Sequence, residues 1–200
     1  TYNVLYKAAF LLDTRNHFKD ANQRYLEIIR AEPRSETAQF AVHRMLSTYE
    51  AIEDWENLNK VAREFYQNED VGKTQKFKQE LFEIYQNATV KLAEVKAAEA
   101  METNDPATYA QAADAYYAFF EEFGSAKTAP LALYNAAFYQ FRAGNKERSI
   151  ELRHQFVETF PDEPKEEEEA ARQLYEKSVA VLAEHYDTLT DFDNAVEYFH

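Results

Sequence analysis

Five copies of one helical pattern run through the chain, and this recurrence limits the folds open to it more than any other feature. The clearest copy spans residues 129–161, APLALYNAAFYQFRAGNKERSIELRHQFVETFP. It has a small pair in mid-helix, Ala136 and Ala137, then a turn at Gly144, a second helix, and Pro161 at its end. A unit of this size cannot bury its own apolar face, so the copies must stack on one another.

The copies align on the first inward residue of each second helix, at spacings of 37, 54, 37 and 46 residues. These anchor positions are Ala21, Leu58, Ala112, Ser149 and Ala195. Four residues later come Tyr25, Ala62, Tyr116, Arg153 and Phe199, and seven residues later come Ile28, Phe65, Phe119 and Phe156. Twelve residues before the anchors lie Ala9, Leu46, Ala100, Ala137 and Ala183. Because positions i, i+4 and i+7 share one face of an α-helix, these residues are predicted to face inward.

The composition favours helices throughout. Only three Gly and five Pro occur, and no segment alternates with a period of two, so an all-α fold is predicted. The first helix of the third copy is unusually long, at about residues 73–102. Asp105 before Pro106 is typical of a helix start, and so is Pro164 before the acidic run Glu166 to Glu169.

The spacing resembles the tetratricopeptide repeat (TPR), in which each unit is a pair of antiparallel helices with small residues where they cross. The resemblance implies a right-handed solenoid of helix hairpins. Residues 1–200 would then form one array, with repeats at about 1–35, 36–71, 72–125, 126–163 and 164–200. The chain starts without Met and ends within a helical pattern, so we expect a fragment of a longer protein.

In TPR proteins the first helices line a concave groove that binds partners, and this implies a set of groove residues here. The predicted partner-binding residues are Tyr6, Phe10, Phe40, His43, Leu131, Tyr134, Phe138, Phe141 and Arg142, with Asn3, Lys177 and Glu184 at further groove positions. Aromatic side chains on a rigid concave surface are typical anchors for a peptide or helix. The alternative is that a neighbouring helix of the same chain covers them.

Some TPR proteins hold a partner's C-terminal carboxylate with Lys and Asn at fixed groove positions. Those positions here hold Tyr6, Phe10, Tyr134 and Phe138, so binding of that type is not predicted.

Charge and cysteine content exclude several classes of function. The net charge is −14, which argues against nucleic acid and anionic membrane surfaces as partners. The chain has no Cys, so disulfides and thiolate sites are excluded. No apolar run is long enough to span a bilayer. No phosphate-binding loop or nucleophile motif is present, so we expect neither an enzyme nor a cofactor.

Two Glu-x-x-His pairs, Glu151/His154 and Glu197/His200, have the spacing used by di-iron bundles, but they lie beside the inward helix faces. A metal site is not predicted, and a helical metalloprotein remains a distant alternative.

The sequence thus predicts a non-catalytic scaffold that binds protein or peptide partners, with a self-assembling homo-oligomer as the alternative. The Tyr- and Phe-rich units resemble TPR lipoproteins of the Gram-negative cell envelope, including those of outer-membrane assembly, cell division and myxobacterial gliding motility. This resemblance implies a periplasmic or outer-membrane-associated protein in a multiprotein complex, with the cytoplasm as the alternative.

Overall fold

The computed structural model describes residues 2–72, 74–160 and 169–188, and these ranges contain nine helices and no strand. The helices are α1 (Tyr2–Asp13), α2 (Phe18–Ala31), α3 (Glu36–Ala51), α4 (Trp55–Gln67), α5 (Gln75–Thr103), α6 (Pro106–Glu122), α7 (Ala129–Arg142), α8 (Lys146–Thr159) and α9 (Glu169–Thr188). The predicted all-α fold is confirmed, and α5 is the long helix expected near residues 73–102. None of the described helices combines the length and apolar character that crossing a bilayer requires.

Local sequence signals explain where several helices begin. The side chain of Ser35 accepts a hydrogen bond from the Ala38 N–H at 3.1 Å and so caps α3. Asp105 accepts from the N–H groups of Ala107 and Thr108 at 3.1 and 3.2 Å, with Pro106 as the first residue of α6. The predicted helix start at Asp105 is therefore confirmed, and it satisfies donors that the helix itself leaves unpaired.

The chain divides into two compact units, Thr1–Lys91 and Leu92–His200. In the first unit, α1 packs on α2, α2 on α3 and α3 on α4, and α1 also packs on α3. The first part of α5 joins this unit through the ammonium of Lys78, which donates to the carbonyl oxygens of Phe65 and Tyr66 at 2.9 Å each. It also donates to the carbonyl of Asn68, so a cation closes the carboxyl end of α4.

In the second unit the same pairing of neighbours occurs. Helix α6 packs on α7, α7 on α8 and α8 on α9, and α7 also packs on α9. Thr103, the last residue of α5, is hydrogen-bonded to Thr108 of α6, and Asn104, which follows α5, accepts a hydrogen bond from the Tyr109 hydroxyl. Gly144, with a φ of +86°, makes the turn between α7 and α8.

The inward faces predicted from the repeat are buried wherever the structure describes them. The anchors Ala21, Leu58, Ala112 and Ser149 are buried, and so are the residues four and seven positions after each of them. All five residues that lie twelve positions before an anchor are also buried. The small residues Ala9, Ala100 and Ala137 are fully buried, as expected where two helices cross closely. The inward-face prediction is therefore confirmed for these residues.

Other predictions fall partly or wholly outside the described residues. Ala195, Phe199, Pro161, Pro164, Glu166 to Glu168 and the pair Glu197/His200 all lie there, although α9 begins at Glu169. The ranges 1–35, 36–71, 72–125 and 126–163 each contain two helices. The assembly of all five ranges into one solenoid array remains a prediction.

Candidate functional site

The nine predicted partner-binding residues lie on three first helices and fall into two groups, one in each unit. The α1–α3 surface comprises Tyr6, Phe10, Phe40 and His43 in the first unit. The α7 surface comprises Leu131, Tyr134, Phe138, Phe141 and Arg142 in the second unit. Large apolar side chains are exposed in both: Phe40 by 59%, Phe141 by 53%, Leu131 by 49% and Phe10 by 40%.

On the α1–α3 surface, aromatic rings connect the exposed layer to the core. Tyr6 stacks on Phe10 with 6.5 Å between ring centroids, and it also contacts the fully buried Tyr25 at 5.8 Å. His43 meets the edge of Phe77 at 5.2 Å, and its Nε2 lies 3.5 Å from Oε2 of Glu80. These contacts fix Tyr6 and His43, whereas Phe40 projects from α3 to solvent.

A buried acid–base cluster, which the sequence did not predict, lies beneath Phe10. The carboxylate of Asp13 accepts hydrogen bonds from Nε of Arg44 at 2.9 Å and from Oγ1 of Thr48 at 3.1 Å, and it also pairs with Nη2 of Arg44. The Tyr25 hydroxyl donates to Asp13 at 3.4 Å. The guanidinium of Arg44 lies 5.1 Å from the Phe10 ring centroid, so the cluster holds a cation against the aromatic surface.

The surroundings of this cluster shift two pKa values. The hydrogen bond from Arg44 to Asp13 raises the pKa of Arg44 above its ordinary value. Burial raises the pKa of Tyr25 to about 12, and the neighbouring Asp13 charge acts in the same direction. Arg44 is therefore a fixed cation and Tyr25 a neutral donor at physiological pH.

On the α7 surface, the two middle aromatics are partly covered and the two ends are not. Tyr134 packs edge-on against the buried Phe156 at 6.4 Å, and Phe138 packs against Tyr139 at 5.1 Å. Leu131 and Phe141 remain about half exposed at opposite ends of the helix. The alternative that a neighbouring helix of the same chain covers this surface thus applies in part to Tyr134, whose ring packs on α8.

Arg142 is held in place by the end of α5 and the start of α6. Its Nη2 donates to Asn104 Oδ1 at 3.2 Å and to the Tyr109 hydroxyl at 2.7 Å, and its guanidinium lies 4.8 Å from the Tyr109 ring centroid. Below it the rings of Tyr109, Tyr139 and Tyr116 stack at 6.1 and 5.8 Å. Burial raises the pKa of Tyr116 to about 12, so Tyr116 is neutral at physiological pH.

Arg153 lies behind the α7 surface and has no acceptor for two of its donors. Its side chain is 5% exposed, and its Nε and Nη1 have no hydrogen-bond partner. The guanidinium lies 5.4 Å from the ring centroid of Tyr134, and desolvation lowers the pKa of Arg153. The repeat pattern placed Arg153 on the inward face without assigning it a role. The sequence did carry a signal for it, because the equivalent position in other copies holds the uncharged residues Tyr25, Ala62 and Tyr116. A charged residue on a buried face is costly without a partner.

The remaining predicted positions are simpler. Lys177 and Glu184 are exposed on α9, and Asn3 Oδ1 accepts a hydrogen bond from Thr37 at 3.3 Å. Within residues 2–72, 74–160 and 169–188, no group of three or more His, Asp or Glu side chains is arranged to hold a metal ion. Glu151 and His154 thus belong to no such group, and Glu197/His200 lies outside these ranges.

No family model matches the chain, and no curated protein matches it. Any inference about the function of the chain therefore depends on its residues and their packing.

Proposed function

We propose that the chain is a right-handed solenoid of TPR-like hairpins that acts as a non-catalytic scaffold, without a cofactor. It binds a peptide or helix of a protein partner through the α1–α3 and α7 surfaces. The observation that carries the proposal is the exposure of Phe40, Phe141, Leu131 and Phe10 on first helices whose opposite faces are buried. Large apolar side chains held on a rigid helix are the anchors that peptide-binding surfaces use.

The packing within each unit supports the solenoid part of the proposal. Helices α1 and α3 contact each other, as do α7 and α9, so first helices of successive hairpins lie side by side. The hydrogen bond between Thr37 and Asn3 and the cation–π contact between Arg44 and Phe10 both join α3 to α1. A stack of this kind forms one continuous face from successive first helices, as repeat proteins do.

The resemblance to TPR lipoproteins supports a further proposal about location. The scaffold would act in the periplasm or at the outer membrane, within a multiprotein complex such as those of envelope assembly or gliding motility. The alternative location is the cytoplasm.

The test is affinity capture from the native cell with surface variants of matched exposure. Phe10→Ala with Phe40→Ala changes the α1–α3 surface, and Leu131→Ala with Phe141→Ala changes the α7 surface. The controls Leu11→Ala with Ile52→Ala, and Val95→Ala alone, remove equally exposed apolar groups elsewhere. Circular dichroism checks that every variant stays folded.

The scaffold proposal expects partners that the controls retain and a surface variant loses. Identical partner sets from all proteins would overturn the surface assignment. Recovery of copies of this chain alone, with a mass that rises with concentration in light scattering, would support self-assembly instead.

A further inference from the structure

The guanidinium of Arg153 is a buried cation for which the described part of the chain supplies no carboxylate. It lies on the inward face of α8, where Tyr134 supplies a cation–π contact and a side-chain hydrogen bond, and its Nε and Nη1 have no hydrogen-bond partner. Desolvation lowers the pKa of Arg153, but arginine side chains keep their charge in proteins. A buried charge normally requires a paired group of opposite sign, and a cation–π contact replaces only part of that pairing.

A second unsatisfied polar group lies in the same layer of helices. The hydroxyl of Ser178 on α9 is fully buried and has no hydrogen-bond partner, and α9 packs on both α7 and α8. Most buried polar atoms of native proteins are paired. Two unpaired groups on neighbouring helices therefore leave hydrogen-bonding capacity in this layer that the described residues do not use.

Tyr134 connects the buried cation to the predicted binding surface. It is partly exposed on α7, and its ring contacts the guanidinium beneath it.

We infer that Arg153 is the charge-recognition residue of the α7 surface, and that it binds an aspartate or glutamate side chain of the protein partner. The partner segment would place an apolar side chain against Phe141 and Phe138 and insert its carboxylate beside the displaced ring of Tyr134. The carboxylate would accept a hydrogen bond from one of the two unpaired donors of Arg153, Nε–H or Nη1–H. This inference rests on the proposed scaffold function, because it names the chemistry of the partner for the same surface. The cation would come from α8, the second helix of its hairpin. It would thus differ from the TPR grooves that hold a C-terminal carboxylate with Lys and Asn on first helices.

The experiment uses a displayed library of random 16-residue peptides, selected on the full chain. Enriched peptides are synthesised with an amidated C-terminus, and each is also made with its Asp or Glu changed to Asn or Gln. We expect enriched peptides to carry an acid beside an aromatic or aliphatic residue. The amide version should bind about tenfold more weakly, since hydrogen bonds to a charged group are the strong ones. In Arg153→Met that tenfold difference should vanish, and Arg153→Lys should restore part of it.

A structural role alone would give a different result. If Arg153 only supports the fold, Arg153→Met lowers the melting temperature and leaves the acid-to-amide difference unchanged, which overturns the inference. Should Arg153→Met fail to fold, the Nε–Hε NMR signal of Arg153 in the unaltered chain decides. It should shift on adding the acidic peptide and stay in place with the amide peptide, and no shift with either one overturns the inference.

Two further arms separate the sources of failure. Peptides that bind only with a free C-terminal carboxylate, and not through an internal acid, would overturn the side-chain assignment. If Phe141→Ala leaves binding of every selected peptide unchanged, the α7 surface itself is not the site, and the proposed function fails together with the inference. If Phe141→Ala weakens binding but the acid makes no difference, only the role of Arg153 fails.

Discussion

Arg44 in the first unit and Arg153 in the second both lie against an aromatic ring of a first helix, at 5.1 Å from Phe10 and 5.4 Å from Tyr134. Their other surroundings are opposite. Arg44, with a side chain 39% exposed, pairs with the buried carboxylate of Asp13. Arg153 is 5% exposed and has no carboxylate among the described residues. The arginine that water can reach is paired, and the one that water cannot reach is not.

Stability alone would favour the reverse arrangement, because an unpaired charge costs more the less solvent it meets. In the described part of the first unit, every buried side-chain nitrogen and oxygen has a hydrogen-bond partner except the amide oxygen of Asn22. Among the described residues of the second unit, Nε and Nη1 of Arg153 and the hydroxyl of Ser178 make no hydrogen bond. Groups that destabilise a fold can be retained where they serve function, so the comparison supports the proposal that the second unit binds an outside partner.

The largest expected effect compares the space around one glycine in each unit. Gly72 has a φ of +76°, and a Cβ added there would overlap the ring of the buried Phe77, whereas Gly144 has a φ of +86° and open space around it. Gly72→Ala should therefore cost about 3 kcal/mol of unfolding free energy, from backbone strain and overpacking together. Gly144→Ala should cost about 1 kcal/mol, from strain alone. Urea unfolding followed by circular dichroism measures both, and equal costs would contradict the tighter closure of the first unit.

The next effect concerns the acid that pairs with Arg44. Asp13→Ala leaves Arg44, Thr48 and Tyr25 without their shared acceptor. It should cost about 2 kcal/mol, below the usual value for breaking a buried pair because Arg44 can turn toward water. Thermal and urea unfolding test it, with Glu27→Ala as a control that breaks an exposed pair with Arg24. A cost no larger than that of the control would mean that the first unit does not depend on this cluster.

Much of the fold followed from the sequence because its causes are local. The i, i+4, i+7 recurrence identified the buried faces of the second helices, and Asp105 with Pro106 identified the start of α6. These features depend on residues within one or two helical turns of each other. Helix period and capping chemistry are therefore readable without knowing which helices pack together.

The polar clusters could not be predicted, because their members come from different helices. Asp13 is 31 residues from Arg44 and 35 from Thr48, and Arg142 is 38 from Asn104. Such pairings depend on how two helices are set against each other. A partial signal existed for Asp13, which lies four residues after the buried Ala9 and so faces inward, where an acid needs a partner. Of the groove positions, Tyr134 is partly covered because the edge of its ring packs on Phe156 of α8.

A smaller effect appears at high pH and compares one buried tyrosine from each unit. The folded-state pKa of Tyr25 and of Tyr116 is about 12, above the unfolded value of 10.0, mainly because of burial. The unfolded chain therefore loses these protons first. The contribution of each tyrosine is fully present below pH 10 and is lost between pH 10 and 12, at up to about 1.4 kcal/mol per pH unit.

Phenylalanine at either position removes that dependence. Between about pH 8 and pH 11, Tyr116→Phe should lose about 1 kcal/mol less stability than the unaltered chain, as measured by urea unfolding at each pH. Tyr25→Phe should show the same weaker pH dependence. It should also have a lower free energy of unfolding at every pH, because it removes the hydrogen bond to Asp13. Parallel curves for Tyr116→Phe and the unaltered chain would show that Tyr116 ionises as easily in the fold as outside it.

The smallest effect tests whether a side chain of the first unit stabilises the free carbonyl groups at the carboxyl end of α4. The ammonium of Lys78 donates to the carbonyls of Phe65, Tyr66 and Asn68, and desolvation lowers the pKa of Lys78. Lys78→Met keeps the length of the side chain and removes the cation, so α4 should lose about 0.5 kcal/mol of stabilisation at its carboxyl end. Hydrogen exchange should localise the change to the last turn of α4, since opening there no longer breaks three hydrogen bonds. Lys76→Met, at a neighbouring lysine whose exposed pair with Glu80 contributes little, is the matched control. Faster exchange in both variants would point to the loss of charge in general, and faster exchange in Lys78→Met alone would assign the effect to the capping contacts.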